Sequence, residues 1–124
     1  MIKIPAEQII LNQRELKARL GGAPTAIVAE DLAKCQAKLF AALNCGYHYA
    51  ETTVTLYDEG CDLGFGRIHS RNLRKNLDGC TRAYVFGGTL GFGVDRLLRI
   101  SALTSTLEHF LIDALASTAI EALC

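Results

Sequence analysis

Apolar residues recur every three or four positions in two long stretches of the chain, which predicts two amphipathic helices. The first stretch carries its stripe on Val28, Leu32, Cys35, Leu39 and Leu43. The second carries it on Leu107, Phe110, Leu111, Ala114, Leu115, Thr118, Ala119 and Ala122. Small residues in the second stretch let another backbone come close, so we expect this last helix to be buried at the centre of the fold.

Polar residues in front of apolar stretches predict where further helices begin. Asn12 followed by Glu15, and Ser105 followed by Glu108, have the spacing of a capping box. Gly21 is placed to end a short helix over residues 13–20. Gly21, Gly22 and Pro24 predict a break, after which Thr25 caps the first long helix. That helix is predicted to end at Asn44, Cys45 and Gly46. Ser70 is predicted to cap a short helix, and Val94, Leu97 and Leu98 indicate a further helical segment.

Three segments are predicted to be strands, and the first of them is rich in the β-branched and aromatic residues that suit a sheet. They run from Tyr49 to Tyr57, from Cys61 to Gly66 and from Arg82 to Gly87, and the sequence Asp-Glu-Gly at 58–60 favours a hairpin turn between the first two. The pattern therefore predicts one α+β domain over residues 1–124, with a small antiparallel sheet of about three strands packed by about five helices.

Composition narrows the function classes. The chain has 124 residues, and its 13 Lys plus Arg balance 13 Asp plus Glu, so no net field attracts nucleic acid. No apolar run reaches the roughly 20 residues of a membrane helix, and the start lacks the pattern of a secretion signal, so we expect a cytoplasmic protein without membrane contact. Five cysteines without a Cys-x-x-Cys pair indicate reduced thiols rather than disulfides or a metal site.

A glycine-rich segment, residues 85–94 (VFGGTLGFGV), runs from a predicted strand into a predicted helix. Backbone N–H groups in such a loop can hold an anionic group. The segment matches neither the dinucleotide fingerprint nor the phosphate loop. The alternative is steric: the glycines permit a tight turn packed against its neighbours. A nucleotide enzyme that uses this loop is therefore one hypothesis among several.

Charged residues offer two further candidates. Asp113 and Glu121 border the apolar stripe of the last helix, where a carboxylate must pair with an arginine, bind a cationic ligand or take up a proton. Arg67, His69, Arg71, Arg74, Lys75 and Arg82 form a basic cluster, which is either a surface for an acidic partner or a solvated rim. The spacing reveals no catalytic constellation, so the chain's status as an enzyme stays open.

Residues 70–123 resemble the activation domain of cobalamin-dependent methionine synthase, and most of all its small stand-alone relatives. The resemblance is carried by residues 70–80 (SRNLRKNLDGC), 88–98 (GTLGFGVDRLL) and 113–123 (DALASTAIEAL). It implies a reactivation module that presents S-adenosylmethionine to an oxidised corrinoid methyltransferase while a flavodoxin-type reductant supplies an electron. Cobalamin would then come only with a partner, the corrinoid protein.

The resemblance also implies a ligand site. A glutamate of the last helix contributes to it in that family, and Glu121 is the matching residue, with Asp113 on the same helix. A carboxylate suits a ligand that carries a sulfonium and an ammonium. Gly88, Thr89 and Gly91, from the second matching segment, complete the predicted cofactor-binding set.

This chain departs from the family in one respect. The family's Arg-x-x-x-Gly-Tyr ligand segment follows the last helix, whereas the sequence ends at Cys124 without a capping glycine or a basic last turn. We therefore expect a truncated chain that binds S-adenosylmethionine weakly or not at all alone. The alternative function is a non-catalytic interaction domain that uses the basic 67–82 surface, and self-association stays open.

Overall fold

In a computed structural model that describes residues 1–23 and 25–124, the chain forms five α-helices and two small antiparallel sheets of three strands each. The helices are α1 (Gln13–Leu20), α2 (Ala26–Ala42), α3 (Arg71–Asn76), α4 (Phe92–Thr104) and α5 (Thr106–Leu123). The strands are β1 (Ile2–Ile4), β2 (Cys45–Thr53), β3 (Thr55–Tyr57), β4 (Gly60–Asp62), β5 (Arg67–Ile68) and β6 (Arg82–Thr89). The predicted α+β class is confirmed. Pro24, part of the predicted break between the first two helices, lies outside the described residues.

The predicted caps determine where four helices begin. In each case the side-chain oxygen of the cap accepts a hydrogen bond from the backbone N–H three residues later, which satisfies a donor that the helix itself leaves unpaired. The pairs are Asn12 with Glu15, Thr25 with Val28, Ser70 with Leu73, and Ser105 with Glu108. Gly21 ends α1 in the left-handed conformation, at φ 80°. These local signals, read from the sequence, are confirmed.

The prediction that the three strands form one sheet is wrong, because the structure has two sheets. One sheet has the order β1-β2-β6 and the other has the order β3-β4-β5. The predicted strand 49–57 is divided at Val54, whose N–H donates to the carbonyl of Thr81 instead of continuing one ladder. As a result, β3 forms its own hairpin with β4, in which Leu56 pairs with Cys61.

The N-terminal strand β1 was not predicted. It pairs antiparallel with the start of β2, with Ile4 opposite Cys45 and Lys3 opposite Gly46. Cys45 and Gly46, predicted to end the first long helix, therefore open a strand. Three residues at the N-terminus carry too little pattern to reveal a partner more than 40 positions away, because strand pairing is set by non-local contacts.

The chain forms two compact units, Met1–Tyr47 with Gly88–Cys124 as the first and His48–Gly87 as the second. The core of the first unit is built around α5, which α1, α2 and α4 contact. Leu111, Ile112, Leu115 and Ala119 of α5 are fully buried. The prediction of a buried last helix is confirmed.

The second unit has a smaller interior under its hairpins, with Cys61 and Leu63 buried. Arg74 Nε donates to the carbonyl of Tyr57 at 2.6 Å and thereby ties α3 to β3. The hydroxyl of Tyr57 donates to the carbonyl of Ile68 at 3.1 Å and ties β3 to β5. Across both units, none of the helices in the described ranges has the length and apolar content needed to cross a bilayer.

Candidate functional site

A groove of about 300 Å³ lies in the first unit where the glycine loop, residues 88–93, meets α4 and α5. It is bordered by Gly88, Thr89 and Gly91 from the loop, Asp95 from α4, and Asp113 and Ser117 from α5. Four of the five predicted cofactor-binding residues thus share one groove, although at least 22 positions separate Asp113 from the other three. We call this the acidic groove.

Close packing requires glycine at two positions of the glycine loop, Gly91 and Gly93. Gly91 has φ +95°, and a Cβ there would lie 2.9 Å from the backbone oxygen of Asn44. A Cβ on Gly93 would lie 2.7 Å from the carbonyl oxygen of Ala42. Both distances are shorter than a carbon–oxygen contact allows, so the steric interpretation of these two glycines is sufficient without any ligand.

The charge at the start of α4 favours a cation in the groove over an anion. The N–H of Gly91 donates a hydrogen bond to the Thr89 hydroxyl at 3.0 Å, and the N–H of Val94 donates to the carbonyl of Gly91 at 3.3 Å. Both N–H groups therefore already have acceptors. Asp95 adds a carboxylate to the first turn, where it complements the positive end of the helix dipole. An anionic ligand in this loop would meet that carboxylate.

Asp95 and Asp113 are exposed carboxylates of the acidic groove. Neither makes a hydrogen bond or an ion pair with any residue that the structure describes. The helical spacing of Asp95 and Arg99 favours an ion pair, but none forms within 4 Å. The acidic groove therefore offers two negative charges that no described cation neutralises.

Glu121 lies in a different place from Asp113. It borders a second groove of about 360 Å³, together with Glu15 and Thr118. Its Oε1 accepts a hydrogen bond from Arg19 at 2.6 Å, and the same guanidinium reaches Glu15 and the Thr118 hydroxyl, each at 3.4 Å. Eight helical residues rotate a side chain roughly 80° beyond two full turns, which separates Glu121 from the acidic groove. The arginine pairing left open by the sequence is the one the structure contains.

The arginines of the predicted basic surface already have partners within the second unit. Arg67 lies over the ring of Tyr57 at 5.1 Å from its centroid, and Arg74 donates to the carbonyl of the same residue. Arg71 pairs with Glu59 and Arg82 pairs with Glu51, both at 3.0 Å. These contacts leave less charge free for an acidic partner, and the interaction surface stays a prediction.

Sequence reasoning missed a serine–histidine contact. The Ser101 hydroxyl and the His109 Nδ1 lie 3.2 Å apart, and both reach the carbonyl of Leu98, at 3.0 and 3.1 Å. Because the hydroxyl donates to that carbonyl, the histidine nitrogen is best assigned as a donor as well. The histidine then cannot accept the serine proton. The trio joins the end of α4 to the start of α5 and has no nucleophile–base geometry.

The remaining titratable cluster is also structural. Burial raises the pKa of the Cys35 thiol, with the nearby Glu108 carboxylate as the second cause. A hydrogen bond to Glu108 raises the pKa of Lys38. Burial also raises the pKa of Cys45. A raised thiol pKa suppresses the thiolate that nucleophilic chemistry requires. Among the residues described, no three His, Cys, Asp or Glu side chains form a group that could hold a metal ion.

Comparison with protein-family models and with curated proteins finds nothing that matches this chain.

Proposed function

We propose that this chain is an S-adenosylmethionine-binding accessory protein for the reactivation of a corrinoid methyltransferase, and that the acidic groove receives the cationic part of the ligand. The proposal extends the resemblance to the methionine synthase activation domain. The observation that supports it most is convergence: segments 88–98 and 113–123, two of the three that carry the resemblance, border one groove with two unpaired carboxylates.

The groove's chemistry suits this ligand. S-adenosylmethionine carries a sulfonium and an ammonium, and both gain from a nearby carboxylate that is not already paired. A volume of about 300 Å³ is at the lower end for a small-molecule pocket, so the groove accounts for part of the ligand only. Asp113 takes the ligand contact in this proposal, because Glu121 is held by Arg19.

The chain's contribution would be positioning. The corrin of the partner and the sulfonium of the ligand supply the methyl-transfer chemistry, and a flavodoxin-type reductant supplies the electron. Residues of the groove would orient the sulfonium and exclude water from one side of it.

A titration followed by amide NMR tests the proposal. In line with the weak binding expected of this chain alone, S-adenosylmethionine should shift the amides of Gly88, Thr89 and Gly91 only at millimolar concentration. S-adenosylhomocysteine, whose sulfur is neutral, should do so at least tenfold more weakly. Asp113→Asn and Asp95→Asn should each weaken the shifts. Glu7→Gln, an exposed carboxylate of the same unit, is the matched control and should leave them unchanged.

Two results would contradict the proposal. Equal shifts with the sulfonium and the thioether would show that the charge of the sulfonium is not recognised. Loss of the shifts in Glu121→Gln but not in Asp113→Asn would move the ligand to the other groove.

A further inference from the structure

The solvent-exposed side of α4 carries both large apolar side chains and arginines. Phe92, Arg96, Arg99 and Leu103 follow each other at four, three and four positions and therefore form one stripe along the helix. We call these four residues the outer stripe. Phe92 is 88% exposed and Leu103 is 89% exposed. The opposite side of the same helix is the packed one, with Val94 and Ser101 buried.

The outer stripe has two apolar ends and a charged middle. Eleven residues of helix place its two apolar ends about 16 Å apart. Arg96 and Arg99 lie between them, and neither guanidinium makes an ion pair with a described carboxylate. Exposed aromatic side chains and arginines are enriched in protein-binding surfaces, and an exposed apolar patch often marks such a surface.

We propose that the outer stripe docks an acidic protein segment, whose carboxylates pair with Arg96 and Arg99 and whose apolar side chains cover Phe92 and Leu103. Planar guanidinium groups bind carboxylates through paired hydrogen bonds, which gives this contact direction as well as attraction. The proposal goes beyond the ligand function above, because none of the four residues of the outer stripe borders the acidic groove, to which α4 contributes Val94, Asp95 and Leu98.

The order of the side chains argues against the two other occupants. A helix that lies in a membrane surface keeps its apolar residues on one face and its cations on another, whereas here the cations lie between the apolar anchors. A second copy in antiparallel, two-fold symmetric pairing would place Arg96 against the partner's Arg99, so like charges would face each other. An acidic segment has neither difficulty.

A charge-swap experiment tests the docking surface. The probe is a synthetic helical peptide with two leucines eleven residues apart and two glutamates between them, and the comparison peptide has lysines in place of the glutamates. The glutamate peptide should perturb NMR amides confined to residues 92–103 and bind at least tenfold more tightly than the lysine peptide. The double variant R96E/R99E should reverse that preference. Arg14→Glu with Lys17→Glu, the same charge change at two exposed α1 sites that are also three positions apart, should retain it.

Four outcomes would overturn the proposal. They are equal binding of the two peptides, no perturbation of residues 92–103 at millimolar peptide, protection of the stripe by anionic phosphatidylglycerol vesicles in preference to the peptide, and concentration-dependent broadening of the same amides without peptide. The amides of residues 88–91 report separately on S-adenosylmethionine, so failure of this test and failure of the ligand proposal are distinguishable.

Discussion

Arg19, in the last turn of α1, holds Glu121, in the last turn of α5, through a hydrogen-bonded ion pair of 2.6 Å. The same guanidinium reaches the hydroxyl of Thr118 at 3.4 Å. One arginine therefore fastens a helix from the start of the sequence to the last helix. The carboxylate that the family resemblance assigns to ligand binding has a structural role in this arrangement.

Breaking this pair should cost little. Glu121 is 57% exposed and Arg19 is 26% exposed, so solvent screens their attraction. We expect Glu121→Gln to lower the free energy of unfolding by about 0.5 kcal/mol. Arg19→Ala should cost more, because it also removes the contacts with Glu15 and Thr118. Urea unfolding measures the free energy of unfolding of both variants, with Glu7→Gln as the control. A decrease of more than about 2 kcal/mol in Glu121→Gln would contradict the exposed character of the ion pair.

Gly91 should be the least replaceable glycine of the loop. An alanine there combines φ +95° with a Cβ 2.9 Å from Asn44. We expect Gly91→Ala to destabilise the fold by about 1–3 kcal/mol. Gly87 is the matched control, since a Cβ there meets nothing within 4 Å. Thermal melts of the two variants decide the point. Equal losses would show that the loop relaxes around an added methyl group.

The five thiols should separate into two classes. Cys80 and Cys124 are exposed, whereas Cys35, Cys45 and Cys61 are buried. Reaction with a chromogenic disulfide reagent at pH 8 should therefore show two fast thiols, and the other three should react only when the protein is unfolded in urea. Cys80→Ser should remove one fast equivalent. More than two fast thiols in the folded chain would contradict the burial.

Stability should fall at alkaline pH. Burial raises the pKa of Cys35 and of Cys45 above the 9.0 that they have in the unfolded chain. The unfolded thiols therefore ionise first, so the stabilisation is complete below pH 9 and is lost as the pH rises through the folded values. Lys38 acts in the same direction above pH 10.5, because its bond to Glu108 raises its pKa in the folded state.

Urea midpoints at pH 7, 8, 9 and 10, in the presence of a reductant, measure this effect. Cys35→Ala should flatten the decline between pH 8 and 10, although the variant is less stable at every pH because it leaves a small cavity. A midpoint that rises between pH 8 and 10 would contradict the assignment.

Local signals in the sequence predict most of the helices, whereas the pairing of strands that are far apart in the chain cannot be predicted from such signals. Asn12 and Ser105 reveal helix starts because a cap and the N–H that it satisfies are three residues apart. The β1 strand and the division at Val54 depend on partners far away in the chain. The sequence predicts part of the acidic groove, because Thr89 and Asp113 were identified as candidates. Their proximity, and the pairing of Glu121 with Arg19 instead of a ligand, follow only from the packing of α1, α4 and α5.

The central place of α5 sets an order of events during synthesis. Its partners α1 and α2 are complete at Ala42, but α5 begins only at Thr106. At ordinary translation rates the ribosome needs several seconds to make the intervening residues. Throughout that interval the apolar sides of the two early helices lack α5, the helix on which both of them pack. The nascent chain must wait, exposed to chaperones and to other nascent chains, until the helix that completes the first unit has left the exit tunnel.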